Sequence, residues 1–195
     1  MWVLDPIDGT CNYAAGSPMT VMLLALLHYD DSVAGLTWMP FIVGCYTAVA
    51  GGSMMKNGVS QPSLATRECS KVLFGVVTFN TGSRGWVPGR CRLAVVENLR
   101  RSCLRLHTYG FTGTDLAYVA NGILGEAVSV GCYVWYHAAG VVLVQAVGGI
   151  VTDLAGELWT TTASCVVNAA PGVHSQIFEI LCGMSEPEDY QDVLG

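Results

Sequence analysis

Long apolar runs are absent from this sequence. Its mean hydropathy is high, at +0.46, yet the longest uninterrupted apolar stretch, Val21 to Leu27, is far short of the roughly 18 residues that cross a bilayer. No membrane span is therefore expected. Charge is also scarce, at 12% of residues, and only nine Lys and Arg stand against fifteen Asp and Glu. With a net charge of -6 and a pI near 5.0, a general nucleic-acid surface is excluded, because phosphate backbones are held by clustered cations. The densest basic group, Arg100-Arg101 with Arg105, reads as a solvated helix flank. The eight cysteines form no CxxC pair and have no histidine at zinc-finger spacing, so they read as small core hydrophobes. No basic segment followed by an apolar stretch and a small-residue cleavage site opens the sequence, which predicts a cytoplasmic location. Internal repeats are absent too.

What is present is concentrated near the start. Residues Trp2 to Tyr13 read WVLDPIDGTCNY: an apolar run stops at Asp5, turns through Pro6-Ile7, and presents Asp8 directly before Gly9-Thr10. Two carboxylates three residues apart, where a Pro fixes one dihedral and a Gly frees another, can converge on a hard cation such as Mg2+. The amides of Gly9 and Thr10 then face the same space and are placed to attract phosphate.

The hydrophobic pattern predicts strands over Trp2–Leu4, Val21–Leu27, Val33–Met39 and Cys45–Ala50, with Asn57-Gly58 as a tight turn. Trp38, Met39 and Phe41 are expected to fill a hairpin core, and Met54-Met55 to pack a turn. After residue 70 the pattern alternates. Val72–Phe79 reads as a strand, Thr81 to Gly89 as a Gly/Pro/Ser-rich loop, and Leu93–Leu99 and Thr114–Ala120 as helices. Ala127–Val130 is expected to be extended, Trp135–Val147 helical and ended by Gly148-Gly149, Ile150–Leu154 and Cys165–Ala169 extended, and a last helix to open at Pro171. This mixture predicts an α/β layered fold. Its expected parts are a turn-bearing antiparallel unit (1–70), an α/β unit (71–184) and an acidic tail (185–195).

Asp5, Ile7, Asp8, Gly9 and Thr10, extended by Asn12-Tyr13, resemble the DPIDGT signature of the inositol monophosphatase family. Trp135-Tyr136-His137-Ala138-Ala139-Gly140 with Val147-Gly148-Gly149 resembles that family's W-D-x-A-A-G helix and trailing A-G-G, and Gly110 with Asp115-Leu116-Ala117 its G-S-x-x-x-D-L-A region. Two separated motifs in the right order are more specific than either alone. The resemblance implies an alternating helix/sheet sandwich, here lacking the N-terminal helices and first strands.

It further implies a magnesium-dependent phosphomonoester hydrolase acting on myo-inositol monophosphate or a similar small phosphorylated polyol, and a homodimer. Asp5, the Ile7 carbonyl and Asp8 would hold Mg2+, Thr10 would orient the attacking water together with Asp5, and the Gly9 and Thr10 amides would hold the phosphate. Ser129 stands where the family often has a polyol-binding glutamate and would be a weak substrate contact, as would Gly110. Glu126 reads as a solvated charge. Two departures from the family pattern stand out. The upstream glutamate ligand has no counterpart, and Tyr136 replaces the aspartate of W-D-x-A-A-G, which implies reduced magnesium affinity and a catalytically impaired alternative. His137, about 100° around the helix from Tyr136, is not a substitute ligand. Phosphoadenosine phosphate and fructose bisphosphate phosphatases share a similar turn, and a haloacid dehalogenase-type site fits worse, because the extra residue between the aspartates moves the second carboxylate off the required face.

Overall fold

A computed structural model describes residues 1–42, 44–77, 89–130, 133–163 and 165–182 of the chain. The first layer is an antiparallel meander of six strands in sequence order: β1 (Trp2–Asp8), β2 (Val21–His28), β3 (Asp31–Met39), β4 (Gly44–Val49), β5 (Met55–Lys56) and β6 (Val59–Ser60). A single helical turn, α1 (Thr10–Ala14), leaves β1. The Asn57-Gly58 turn forms as expected, with both residues at positive φ (50° and 78°), the geometry that suits a two-residue hairpin.

The second sheet combines β7 (Leu73–Val77), β8 (Arg105–His107), β9 (Glu126–Val130), β10 (Ile150–Thr152) and β11 (Cys165–Ala169), in the order β10-β11-β9-β7-β8. Strand β7 runs parallel to both β8 and β9, while β11 is antiparallel to its neighbours. The helices are α2 (Gly89–Ser102), α3 (Thr112–Ala120), α4 (Val134–Ala146) and α5 (His174–Cys182). Helices α3 and α4 lie between the two sheets, and α2 and α5 cover the far face of the second. The layers therefore run sheet, helices, sheet, helices.

Close backbone approach explains the middle layer. A side chain at Gly35 of β3 would strike the Ala139 carbonyl of α4, and one at Gly140 would strike Leu116 of α3. Helix α4 has no polar face over its buried stretch His137–Val144 because both sheets pack on it. It ends where predicted, with the Gly148 amide donating to Gln145 and the Gly149 amide to Val144, and with Gly148 at φ 77°.

Several expectations need correction. Helix α5 begins at His174 rather than Pro171, because Gly172 turns the chain at φ 85° between them. Of the residues expected in a hairpin core only Met39 is buried; Trp38 (46% exposed) and Phe41 (58%) are not. The short strand β8 gave no periodic signal. Residues 78–88, on which the end of the expected 72–79 strand and nearly all of the 81–89 loop fall, and the acidic tail 185–195 lie outside the described residues. Among the described residues no helix is long and apolar enough to cross a membrane.

Candidate active site

Asp5 lies in the middle of the edge strand β1 and Asp8 ends it, and the register of β1 against β2 shifts between them. That irregularity turns both carboxylates to the inner side of the sheet, where both are buried. Asp5 accepts the Ile7 amide on Oδ1 at 3.1 Å, closing a local turn around Pro6. Asp8 accepts the Gly113 amide on Oδ2 at 2.7 Å, and the Thr112 amide also favours its charged form.

The Asp8 contact serves two ends at once. Helix α3 has no side-chain cap of its own, so Asp8, 105 residues away in sequence, satisfies amides at its N-terminus. In return that helix fixes the carboxylate. Burial nonetheless pushes Asp8 up to about 7, with the nearby Asp5 charge adding to the rise and the amides opposing it. Asp5 is also raised, by burial.

Gly9 sits in the left-handed region (φ 87°, ψ 38°), and a side chain there would press on the Met19 carbonyl and the Phe111 ring. Helix α1 is only one turn long, so any anion attraction at Gly9 and Thr10 rests on the turn amides more than on a helix dipole. Thr10 is exposed. Asn12 donates through Nδ2 to the carbonyls of Met19 (3.0 Å) and Tyr109 (3.1 Å), which binds the acidic turn to the segment entering α3. Gly110, at φ 86°, shapes that segment.

Tyr136, at the start of α4, is half-buried. Burial raises its phenol, a hydrogen bond with Trp135 opposes this, and the charges of Asp5 and Asp8 raise it further. The phenol thus stands in the field of the acidic pair, stacked edge-on against Tyr133 and Trp135. Ser129 is 2% exposed, and its hydroxyl is committed internally, to the Thr112 hydroxyl (3.0 Å) and His137 Nε2 (3.3 Å). His137 is fully buried and held neutral, its pKa lowered to about 4 by burial.

Two buried acids escaped notice as such. Asp115 of α3 is fully buried with neither oxygen bonded, over Gly75, whose missing side chain makes room 3.1 Å from the Asp115 carboxyl carbon. Burial, and after it the Asp8 charge, raise it well above the usual carboxylate range. Glu126 is not the solvated charge expected: it is fully buried, and both oxygens lack a partner. The alternation argument put it on the face of β9 opposite Ser129, but that face is covered by the α2 and α5 layer. Burial likewise raises it well above its ordinary value.

The donors at the turn are oxygens alone, the set that suits a hard divalent cation. They are few: among the described residues no three His, Cys, Asp or Glu side chains gather as a metal cage. The two carboxylates with intervening backbone oxygens fit part of a cation's shell and leave water to complete it.

The fold is a sheet–helix–sheet–helix sandwich that carries an acidic DPIDGT turn fixed against a helix N-terminus, and the profile of the inositol monophosphatase family matches residues 1–186. The chain belongs to the inositol monophosphatase family, a family of phosphoric monoester hydrolases. It is 60% identical over 190 residues to the probable inositol 1-monophosphatase ImpA of Mycobacterium tuberculosis, covering 97% of this chain and 70% of that protein. To the inositol-1-monophosphatase ImpA of Mycolicibacterium smegmatis it is 53% identical over 190 residues, covering 97% and 69%. The solved inositol monophosphatase of Anabaena (Nostoc) shares the fold, with a TM-score of 0.84 at 24% identity over 93% of this chain and 73% of that one.

Proposed function

We propose that the chain is a magnesium-dependent phosphomonoesterase acting on myo-inositol monophosphate or a similar small polyol phosphate. The observation that carries this reading is the fixed Asp8 carboxylate beside Asp5, an oxygen-only pair held by the Gly113 amide. The similarity to proteins named inositol monophosphatases supports the substrate class. Asp5, Asp8 and the Ile7 carbonyl would hold Mg2+, which supplies charge neutralisation for the phosphoryl group and acidifies water. The Gly9 and Thr10 amides hold phosphate oxygens, and the exposed Thr10 hydroxyl together with Asp5 orients the attacking water. Ser129, buried and already bonded, acts on the site indirectly by steadying Thr112 next to the amide that holds Asp8. Release of phosphate from inositol monophosphate that stops on chelation and returns with Mg2+ is the expected result. Faster turnover of a nucleotide bisphosphate would move the substrate assignment to another branch of the fold.

A second reading, a family member with impaired turnover, is favoured by Tyr136, a phenol in the field of the two aspartates. Replacing Tyr136→Asp supplies a third carboxylate. The expected outcome is a rise in kcat/KM of at least tenfold together with a lower Mg2+ requirement; an unchanged rate in an active wild-type chain would remove this reading.

A further inference from the structure

Helix α4 carries a histidine where its setting calls for an apolar residue. His137 opens the buried stretch of the helix, and every residue after it through Val144 is apolar. Burying an imidazole costs free energy unless its nitrogens are paired, and among the described residues Nδ1 has no partner. Nε2 has one. It lies 3.3 Å from the Ser129 hydroxyl of β9, which in turn lies 3.0 Å from the Thr112 hydroxyl of α3. His137, Ser129 and Thr112 are 0%, 2% and 4% exposed, so bulk water does not compete for these bonds.

Thr112 is the first residue of α3, a helix without a side-chain cap of its own, and helix ends fray unless they are held. Its amide and that of Gly113 both face Asp8. The Asp8 carboxylate therefore pins this turn from one side and the Ser129–His137 pair from the other.

We propose that His137 is a positioning residue for the acidic turn: through Ser129 and Thr112 it fixes the two amides that hold Asp8. The direction of the chain follows from the unpaired nitrogen. A neutral imidazole carries one ring proton, and on Nδ1 that proton would make a buried, orphaned N–H, which folded proteins tolerate less than an orphaned acceptor. The proton therefore belongs on Nε2. His137 then donates to Ser129, and Ser129 donates to Thr112. This role rests on the reading of the Asp5–Asp8 turn as the reactive site, and it requires no contact between His137 and metal or substrate.

Two variants separate this role from core packing. His137→Leu keeps an apolar fit and removes the donor, whereas His137→Gln places an amide N–H near the former position of Nε2. Amide exchange of Gly113, read by NMR on the full chain without metal or substrate, should quicken about tenfold in His137→Leu with no matching fall in the thermal midpoint. In His137→Gln it should return toward the wild-type rate. Calorimetry with MgCl2 should show affinity weakened by about ten- to a hundredfold in His137→Leu, and hydrolysis of myo-inositol 1-phosphate should lose kcat more than it raises KM. Should His137→Leu fail to fold, Ser129→Ala breaks the same chain one residue nearer the turn and is expected to give the same pattern. Gly113 exchange unmoved in the folded variant, or a glutamine variant no better than the leucine one, overturns the proposal. If the wild-type chain hydrolyses no inositol phosphate, the reading of the turn as reactive falls, while the exchange pattern still decides whether His137 positions Asp8.

Discussion

Asp8 has two masters: the proton that its burial favours and the amides at the start of α3. With burial pushing it up to about 7, a proton competes with any cation, so Mg2+ affinity should climb as pH rises through 7. For the metal-free chain the sign is opposite. The folded state holds a proton on Asp8 that the unfolded state releases near pH 4, so stability falls as pH rises from about 4 to about 7. Buried Asp115 and Glu126, raised in the same direction, add to that fall. Neutral His137 works against it at the acid end, since the unfolded imidazole takes up a proton below about 6.5 and the folded one only near 4. Urea midpoints measured across pH with and without Mg2+ check this. Asp8→Asn should flatten the slope between pH 4 and 7 and abolish Mg2+-dependent hydrolysis; an unaltered pH slope would show that other acids carry it. Gly9→Ala should cost about 1 kcal/mol, since a non-glycine residue is placed in the left-handed region.

At the scale of elements, α4 is the piece on which the rest is assembled. It reaches the first sheet through Gly35 and α3 through Gly140, contacts so close that the backbone or Leu116 occupies the space of a side chain. Gly140→Val should therefore cost about 3 kcal/mol or prevent folding, because α3 must move, and with it the Gly113 amide that holds Asp8. Activity should fall further than the folded fraction does, a split visible when kcat is normalised to native protein. Most elements are legible in the pattern of apolar residues. Four of the six strands of the meander are read from the apolar pattern, as is the turn at Asn57-Gly58, while β5 and β6 are only two residues each and carry no such pattern; α4 stops at its two glycines. The misses have physical reasons too: β8 is three residues long, α1 is one turn, and α5 is displaced because Pro171 is followed by a glycine at positive φ.

Across the whole molecule, a single core cluster joins Val21, Leu23 and Met39 of the first sheet to Ala127, Val151 and Val166 of the second by way of α3 and α4. The two sheets are thus expected to unfold together in one transition. Leu143→Ala, at a fully buried position of α4, should lower stability by about 2–5 kcal/mol and shift the whole transition, and loss of one sheet before the other would contradict a shared core. By itself the sequence determined the acidic turn, its family and the order of most elements, because these depend on local spacing: Asp5 and Asp8 around a proline, glycines at turns, apolar residues at periods of two or near four. Only the tertiary structure decided that Asp8 caps a helix 105 residues away, that Ser129 and Glu126 are enclosed, and that Trp38 is left exposed. Strand alternation assigns a side chain to one of two faces, and which face is buried depends on the layers packed there from distant parts of the chain.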